Sequence, residues 1–425
     1  SEEDFFKPVT NVISSMKIRS SIGTTGNQNF LDYSNAASIS INKDYPIGTG
    51  TKEYLLSGAT QTGFANTNVQ WETTTQKNIG IDLAFLKNAL TFTADVYQSD
   101  KTDMLFPLLL PISAGAGQGS TVTLNVGDMT NKGIELASSY RHNGKFSWTI
   151  GGTFSKNINR ITRMSGTNKF QVLSGSTVAD GVTNVDRVAF LKEGYEAGAF
   201  FVVKTDGIVR TDQELVEYKK LVPTAKLGDL RYVDALTVDT NGDGIPDAGD
   251  KILDDKDRVY AGSGAPIFTA GLNISCNYNN FDFSMQWYES YGNKIINGNK
   301  IYSYMYGTSK DLLYQWTPQN VDAPIPADRG SDHANYRGYS DRWIQDGSFL
   351  RLKNIALGYS IPKTTINKIG LTKARVYISA QNPITITKYD GFDPEVGNDG
   401  LSSRGIDKGS YPMSAQYRGG IQLEF

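Results

Sequence analysis

Residues 268–287, FTAGLNISCNYNNFDFSMQW, contain two runs of alternating side chains separated by Asn279-Asn280. In the first run every second residue is apolar or aromatic, from Phe268 to Tyr278, and small or polar residues stand between them. Strict alternation over ten residues indicates a β-strand with one apolar face. A two-residue link between two such runs indicates an antiparallel hairpin.

The same alternation recurs along the chain and predicts ten strands of membrane-crossing length, for which roughly 9–11 residues suffice. These are residues 12–23, 73–85, 90–101, 120–141 (with a bend predicted at Gly127), 146–156, 266–278, 281–290, 348–360, 374–383 and 414–425. Short links at 86–89, 142–145 and 279–280 alternate with long links at 24–72, 102–119, 157–265, 291–347 and 384–413. Outer-membrane barrels have this pattern, with short periplasmic turns and long extracellular loops.

Composition agrees with many strands and turns and excludes several classes of protein. Hydrophobic residues make up 39%, yet there are 23 Tyr, 19 Phe and 43 Gly. The 42 basic residues nearly balance the 44 acidic residues, which argues against a nucleic-acid surface. A single cysteine, Cys276, cannot form an internal disulfide, and two histidines leave little room for a histidine metal centre. We find no catalytic motif, so we predict that the chain is not an enzyme.

Two alternatives remain on the pattern alone. A soluble β-sandwich or propeller also has strands with one apolar face. If the strands do cross a membrane, ten of them either close as a narrow barrel or pair at their edges with strands that this chain does not contain, because lipid does not tolerate an open edge.

The longest apolar stretch, residues 104–112, is too short for a membrane helix and carries two prolines.

Five segments, in order along the chain, resemble the SusC/RagA type of TonB-dependent outer-membrane transporter. They are residues 16–27 (MKIRSSIGTTGN), 71–80 (WETTTQKNIG), 125–136 (NVGDMTNKGIEL), 341–359 (DRWIQDGSFLRLKNIALGY), and 375–382 (RVYISAQN) followed by 391–396 (GFDPEV). The resemblance implies an all-β protein, a transmembrane antiparallel β-barrel, in which this chain (1–425) supplies about the last ten of roughly 22 strands. The plug domain and the N-terminal strands would then lie outside this chain.

The resemblance also implies a function and partners. Such transporters are integral to the bacterial outer membrane and import oligosaccharides, or oligopeptides in some branches. They pair with a SusD-like surface lipoprotein and are energised by the TonB-ExbB-ExbD complex. The end of the chain is similar to a barrel-assembly signal, with Tyr417, Ile421, Leu423 and the terminal Phe425 on one face. The alternative is that these four residues only face lipid.

An acidic segment inside the 157–265 loop has the spacing of a calcium-binding loop. Within residues 236–258 the candidate ligands are Asp239, Asn241, Asp243, Ile245 (through its carbonyl), Asp247 and Asp250, with Gly244 at the turn. Oxygen ligands at these positions are typical of an EF-hand loop and predict bound Ca²⁺. The twelfth position of the loop is Asp250, where an EF-hand loop usually has Glu, and no amphipathic helices flank the segment. The alternative is an acidic turn that binds nothing.

Several side chains are candidates for contact with a substrate. Long loops commonly carry function, and aromatic rings stack on sugars; the loop aromatics are Tyr302, Tyr304, Tyr306, Trp316, Tyr336, Tyr339 and Trp343. Their alternative role is to pack the loops together. Polar residues in the inward phase are predicted to line a wet lumen: Asp82, Asp95, Glu135, Asp282, Gln286, Arg351 and Lys353. Trp148, Tyr288 and Tyr291 are predicted in interfacial girdles, and Cys276 on the lipid face.

Two other functions are compatible with these features. A soluble, Ca²⁺-stabilised β-protein that binds or cleaves glycans would bury the outward faces in one core. A self-contained small barrel could act as a surface adhesin. The alternating link lengths and the ordered segments favour the transporter.

Overall fold

Ten long strands dominate the computed structural model. They are β1 (Ile13–Asn27), β2 (Glu72–Phe85), β3 (Leu90–Leu109), β4 (Thr121–His142), β5 (Phe146–Met164), β6 (Phe268–Tyr278), β7 (Phe281–Tyr291), β8 (Phe349–Ser360), β9 (Lys373–Thr387) and β10 (Gln416–Glu424). The structure describes residues 12–28, 36–41, 43–48, 53–63, 66, 68–109, 121–164, 170–173, 178, 186–331, 333–366, 370–396, 400 and 403–425. No helix in these residues is long and apolar enough to span a membrane.

The ten strands form one antiparallel sheet in which each strand pairs with its neighbours in the sequence. All ten predicted strands are therefore confirmed. Several are longer than predicted: β3 extends to Leu109 and β5 to Met164, because their outer ends continue to pair with β4 beyond the segments in which apolar and polar residues alternate. The register shifts where β3 and β4 pass Gly127, the position at which the sequence predicted a bend.

One face of the sheet carries apolar side chains in continuous register. Ile150 of β5 pairs with Ile274 of β6, which pairs with Met285 of β7, which pairs with Ile355 of β8. Ile421 of β10 lies on the same face and is 68% exposed. Apolar residues exposed along a whole sheet face are what lipid requires and water opposes.

Aromatic rings lie on this face in two rows near the strand ends. Near the short turns, Phe281 packs on Tyr359 and Trp148 on Tyr140, with ring centroids 4.7 and 5.1 Å apart. Near the long links, Phe268 stacks on Tyr291 at 5.0 Å. Ten residues of β6 separate the rows, which is about 25 Å in height for a strand tilted by about 40°. The rows match the two girdles of a membrane barrel.

The sheet is open in this chain. Among the described residues, no strand pairs with the outer edge of β1 or of β10, and these two strands do not pair with each other. This arrangement contradicts a self-contained small barrel and agrees with the alternative in which the edges pair with other strands.

The long links fold into a separate layer beyond the sheet. Its small strands are Ser38–Ile41 with Ala59–Gly63, Tyr45–Ile47 with Tyr54–Leu56, the four-stranded set Phe170–Val172, Ala189–Lys192, Ala199–Val203 and Arg258–Ser263, the pair Thr205–Ile208 and Leu230–Tyr232, and the set Lys294–Asn297, Ile344–Asp346 and Ile406–Asp407. Helices are α1 (Asp212–Tyr218) and α2 (Gly298–Met305), with 3₁₀ turns at Asp255–Asp257, Lys310–Tyr314, Ala334–Tyr336 and Asp341–Trp343; α3 (Lys363–Ile366) lies between β8 and β9.

This loop layer has its own hydrophobic core. Phe200, Ile301, Trp343 and Ile406 are all buried in one cluster, although they come from three different long links. A buried ion pair also joins two links, because Arg337 donates to Asp186 at 3.0 Å. Burial raises the pKa of Asp186 even with this cation beside it. These three links therefore pack together as one unit.

The two faces of the sheet predict opposite responses to a charge. Ile274→Arg places a cation in mid-strand on the apolar face, and we expect it to cost about 2–4 kcal/mol of folding free energy in lipid vesicles. Ser275→Arg, one residue away on the other face, is the matched control and should cost much less. Urea unfolding of both variants measures the difference. Equal costs would show that the face assignment is wrong.

Candidate functional site

The inner face of the sheet is polar and carries ion pairs across three strands at a time. Arg19 of β1 donates from Nε to Asp82 of β2 at 2.8 Å and from Nη2 to Asp95 of β3 at 2.8 Å. Gly80 lies between Arg19 and Asp95 in the register, and a Cβ there would overlap both side chains. A glycine is therefore required for the guanidinium to cross the middle strand.

A second such bridge lies near the other end of the sheet. Arg375 of β9 donates from Nε to Asp282 of β7 at 2.9 Å, across Gly358 of β8. Glu135 and Gln286 also lie on this face, since Glu135 lines a cavity with Asp95, and Gln286 lines another with Arg375. The structure thus places the predicted lumen residues on the polar face.

The remaining two, Arg351 and Lys353, form a clamp with a long link. Arg351 is 2% exposed and donates to Asp393 at 2.8 Å and also to Glu395. Lys353 donates to Glu395 at 2.7 Å. Asp393 in addition accepts the amide of Met413 at 3.0 Å. The clamp fixes the link between β9 and β10 to the inner wall.

Sequence reasoning did not find the acidic half of this clamp. Asp393 and Glu395 lie in the GFDPEV segment, which the sequence offered only as a family resemblance. A signal was nevertheless available. The acidic sequence Asp-Pro-Glu lies in the long link after β9, and β8, the neighbour of β9, carries Arg351 and Lys353 in the inward phase.

One of the girdle predictions is wrong. Tyr288 pairs with Arg351 and lines a cavity with Asp95 and Glu135, so it faces inward, and Lys353 lies over its ring at 5.3 Å. The error arose because Tyr288 was assigned to a girdle as an aromatic residue near a strand end, although its alternation with the outward Trp287 already places it on the inward face. Trp148 and Tyr291 lie in the aromatic rows of the outward face. Cys276 pairs with Trp148 and also faces outward.

The loop aromatics are mostly buried. Tyr304, Trp316, Tyr336 and Trp343 are buried, and Tyr339 is half-buried against Tyr232. Tyr304 packs on Tyr336 and Trp343 and donates to Asp311 at 3.0 Å. Burial, followed by the bond to Asp311, raises the Tyr304 pKa. These contacts fit the packing role that the sequence offered as the alternative to substrate binding.

Tyr302 and Tyr306 differ from the other five. Both are exposed, and their rings lie 4.5 Å apart at the end of α2. They are the two of the seven that present a ring to solvent. Substrate contact at the loop aromatics stays a prediction, and these two rings are its best-placed candidates.

The acidic loop of residues 239–250 is closed by its own side chains. Asp239 accepts the amides of Gly242 at 2.7 Å and Gly244 at 2.8 Å, and these bonds hold the Asp239 pKa below its usual value. Asp247 accepts from the Thr240 amide at 2.8 Å, and Asp250 accepts from Lys256 at 3.2 Å. The tight turn expected from Asn241-Gly-Asp243-Gly is present.

The acidic loop has suitable oxygen ligands for a metal ion, but it does not bring them together around one point. In the part of the chain that the structure describes, no three His, Cys, Asp or Glu side chains converge as metal ligands. The oxygen donors Asp239, Asn241, Asp243, Asp247 and Asp250 are of the type that Ca²⁺ prefers. Their carboxylates and amide are used by backbone N–H groups and Lys256, so Ca²⁺ binding stays a prediction.

The last strand is on the sheet edge, with the candidate assembly-signal residues on its outward side. Tyr417 pairs with Ala380, Ile421 with Val376 and Leu423 with Ala374. These three and Phe425 are exposed. The arrangement fits both alternatives, a signal for assembly and a lipid-facing surface.

A family model supports the barrel interpretation. The TonB dependent receptor-like β-barrel model matches residues 6–206, which include β1 to β5. Its match covers the Arg19–Asp82–Asp95 bridge.

Relatives named as TonB-dependent receptors match the whole chain. TonB-dependent receptor P3 of Formosa agariphila is 30% identical over 436 positions, covering 100% of this chain and 40% of that protein. TonB-dependent receptor SusC of Bacteroides thetaiotaomicron is 31% identical over 439 positions, covering 100% of this chain and 39% of SusC. The chain therefore spans about two-fifths of the length of these relatives.

A solved structure has the same fold. The RagAB peptide transporter superimposes with a TM-score of 0.75 at 24% identity, covering 98% of this chain and 41% of the matched chain. At this identity the likeness concerns the fold alone. The strand arrangement of this chain is therefore also present in that transporter.

The clamp predicts a large effect on stability. Arg351→Gln leaves Asp393 buried without its cation, and we expect it to lower the free energy of unfolding by about 3–5 kcal/mol. Arg163→Gln is the matched control, because Arg163 is 53% exposed in its pair with Asp128 and should cost about 1 kcal/mol or less. Denaturant unfolding in detergent, followed by tryptophan fluorescence, compares them. A smaller loss for Arg351→Gln than for the control would contradict the clamp.

Calcium binding predicts a shift in melting temperature. We expect about 1 mM Ca²⁺, enough to fill a weak extracellular-type site, to raise the Tm of the wild-type protein. Asp239→Asn should abolish the shift, and Asp254→Asn, outside the ligand spacing, should retain it. No shift in the wild-type protein would leave the loop as an acidic turn.

Proposed function

This chain has the β-barrel sequence and fold of the TonB-dependent receptors and is an integral outer-membrane protein, and we propose that it forms part of the wall of a nutrient importer. The imported nutrient would be an oligosaccharide or an oligopeptide. Because the chain spans about two-fifths of its relatives, we propose that the remaining strands and a plug complete the barrel.

The observation that carries the proposal is the contrast between the two faces of the sheet. One face has an exposed apolar band between two aromatic rows, and the other has bridges such as Arg19–Asp82 and Arg375–Asp282. A protein that spans lipid and encloses water needs this division. The inner face would line the route of a polar nutrient.

The loop layer would face the outside of the cell. The long links leave the same end of the sheet, and three of them share one hydrophobic core. We propose that this layer captures the nutrient and contacts a SusD-like surface lipoprotein. Energy would come from the TonB-ExbB-ExbD complex in the inner membrane.

The alternatives have less support. A soluble protein that binds or cleaves glycans would bury the face that carries Ile22 and Ile421, and both are exposed here. A closed small-barrel adhesin requires β1 to pair with β10, which it does not do in the described residues. The relatives that match the chain are TonB-dependent receptors rather than enzymes. Calcium remains a proposed structural ion of the loop, supported by spacing alone.

Uptake tests the proposal. Cells that carry the intact receptor would be offered labelled oligosaccharides and labelled oligopeptides of six units. We expect one class to accumulate, and accumulation to be lost when either the receptor or TonB is removed. The class that accumulates identifies the nutrient. Accumulation that persists without TonB, or no accumulation of either class, would contradict the proposal.

A further inference from the structure

Strands β8 and β9 lose their pairing at one place on the inner wall. Leu352 pairs with Ile384, but the next pair is Asn354 with Gln381. Lys353 on one strand, and Asn382 and Pro383 on the other, therefore lie outside the ladder. Asn382 has a φ of 51°, a backbone conformation that few residues other than glycine adopt. Bulges of this kind re-aim side chains next to functional sites.

The interruption opens a cavity of about 560 Å³ on the inner face. Its lining includes both sides of the bulge, Lys353 and Asn382, together with Gln286, Asn354, Arg375 and Arg418. Met413, from the link before β10, lines one part of it, and Arg375 and Tyr377 line the part toward the short-link end of β9.

The charges at the cavity are of one sign. Lys353, Arg375 and Arg418 line it, and no carboxylate does so among the described residues. The carboxylates that pair with Lys353 and Arg375, which are Glu395 and Asp282, lie outside the lining. The lining is therefore cationic, and the carboxylates that pair with two of its three cations are not part of it.

Of the three cations that line the cavity, Arg418 is the one that has no carboxylate partner among the described residues. It donates through Nη2 to the amide oxygens of Gln381 and Gln416, which are neutral. No salt bridge joins it to an acidic side chain in the described part of the chain. Its side chain is exposed, and its Nε and Nη1 have no acceptor among the described residues. A guanidinium in this state can accept a carboxylate in bidentate geometry.

We propose that this cavity is a subsite for a carboxylate group on the transported nutrient, with Arg418 as the residue that binds it. Gln286, Asn354 and Asn382 supply amide groups for the neutral part of the same molecule. The inference rests on the proposed import function, because it assigns the inner wall to the nutrient's route. It adds that the nutrient is acidic.

The test compares two arginine variants of the intact receptor in detergent. Arg418→Gln removes the charge from the cavity. Arg141→Gln is the matched control, because Arg141 is also exposed, lies near the end of β4, and does not line the cavity. The probes are tetragalacturonate with its neutral methyl ester, and tetraglutamate with tetraglutamine. Equilibrium binding of each probe is measured.

We expect the wild-type receptor to prefer the acid form of at least one pair. Arg418→Gln should weaken that binding about tenfold, as for the loss of one charge-assisted hydrogen bond. The neutral partner should bind unchanged, Arg141→Gln should match the wild type, and Arg418→Lys should restore part of the preference. A wild-type receptor that prefers neither acid form, or an Arg418→Gln variant that keeps the preference, would overturn the subsite.

A second measurement distinguishes a contact with the plug. Hydrogen exchange of the ligand-free receptor is compared between Arg418→Gln and Arg141→Gln. Faster exchange confined to a plug segment, with probe binding unchanged, would show that Arg418 pairs with an acidic plug residue and would overturn the nutrient assignment. This measurement does not depend on uptake, so the subsite can fail while the import function stands.

Discussion

Continuous backbone hydrogen bonding across the sheet is the constraint on which the rest of the structure depends. In lipid, a peptide group without a partner costs several kcal/mol, so each strand must pair along its whole membrane length. Ten strands satisfy this requirement in simple sequential order. Because side chains alternate along a strand, one register decides at once that Ile274 faces lipid and Ser275 faces the lumen. The outer edges of β1 and β10 have no partner strand among the described residues, so in lipid their backbone groups must pair with strands outside this chain.

The same register explains how the inner wall tolerates charge. Arg19, Asp82 and Asp95 lie on three successive strands, as do Asp282 and Arg375 with Gly358 between them. In both cases a glycine on the middle strand gives the guanidinium room to cross. Such bridges neutralise the wall and link strands that are not hydrogen-bonded neighbours. Arg418 differs from Arg19 and Arg375 in having no carboxylate partner among the described residues.

The strands could be predicted from the sequence because their signal is local. A period of two over ten residues is visible within the window of one strand, and all ten strands followed from it. The loop layer could not be predicted, since Phe200, Trp343 and Ile406 meet across more than 200 residues and no short pattern announces their contact. For the same reason the sequence identified Arg351 but not its partners 42 and 44 residues away. Tyr288 was misplaced because it was assigned by its aromatic type and its place near a strand end, although it follows the outward Trp287 and therefore faces inward. The calcium loop shows a different limit, since its spacing is local but ion binding depends on where the carboxylates finally point.

The separate core of the loop layer has a consequence for how such a protein can change over generations. Its buried residues pack mainly against one another, and the lipid-facing band depends on a different set of side chains. Mutations that reshape the outer layer therefore leave the apolar band and its register unaltered. A lineage could therefore replace loops while inheriting the membrane sheet intact, which would let the sequence of the loop layer diverge faster than that of the strands.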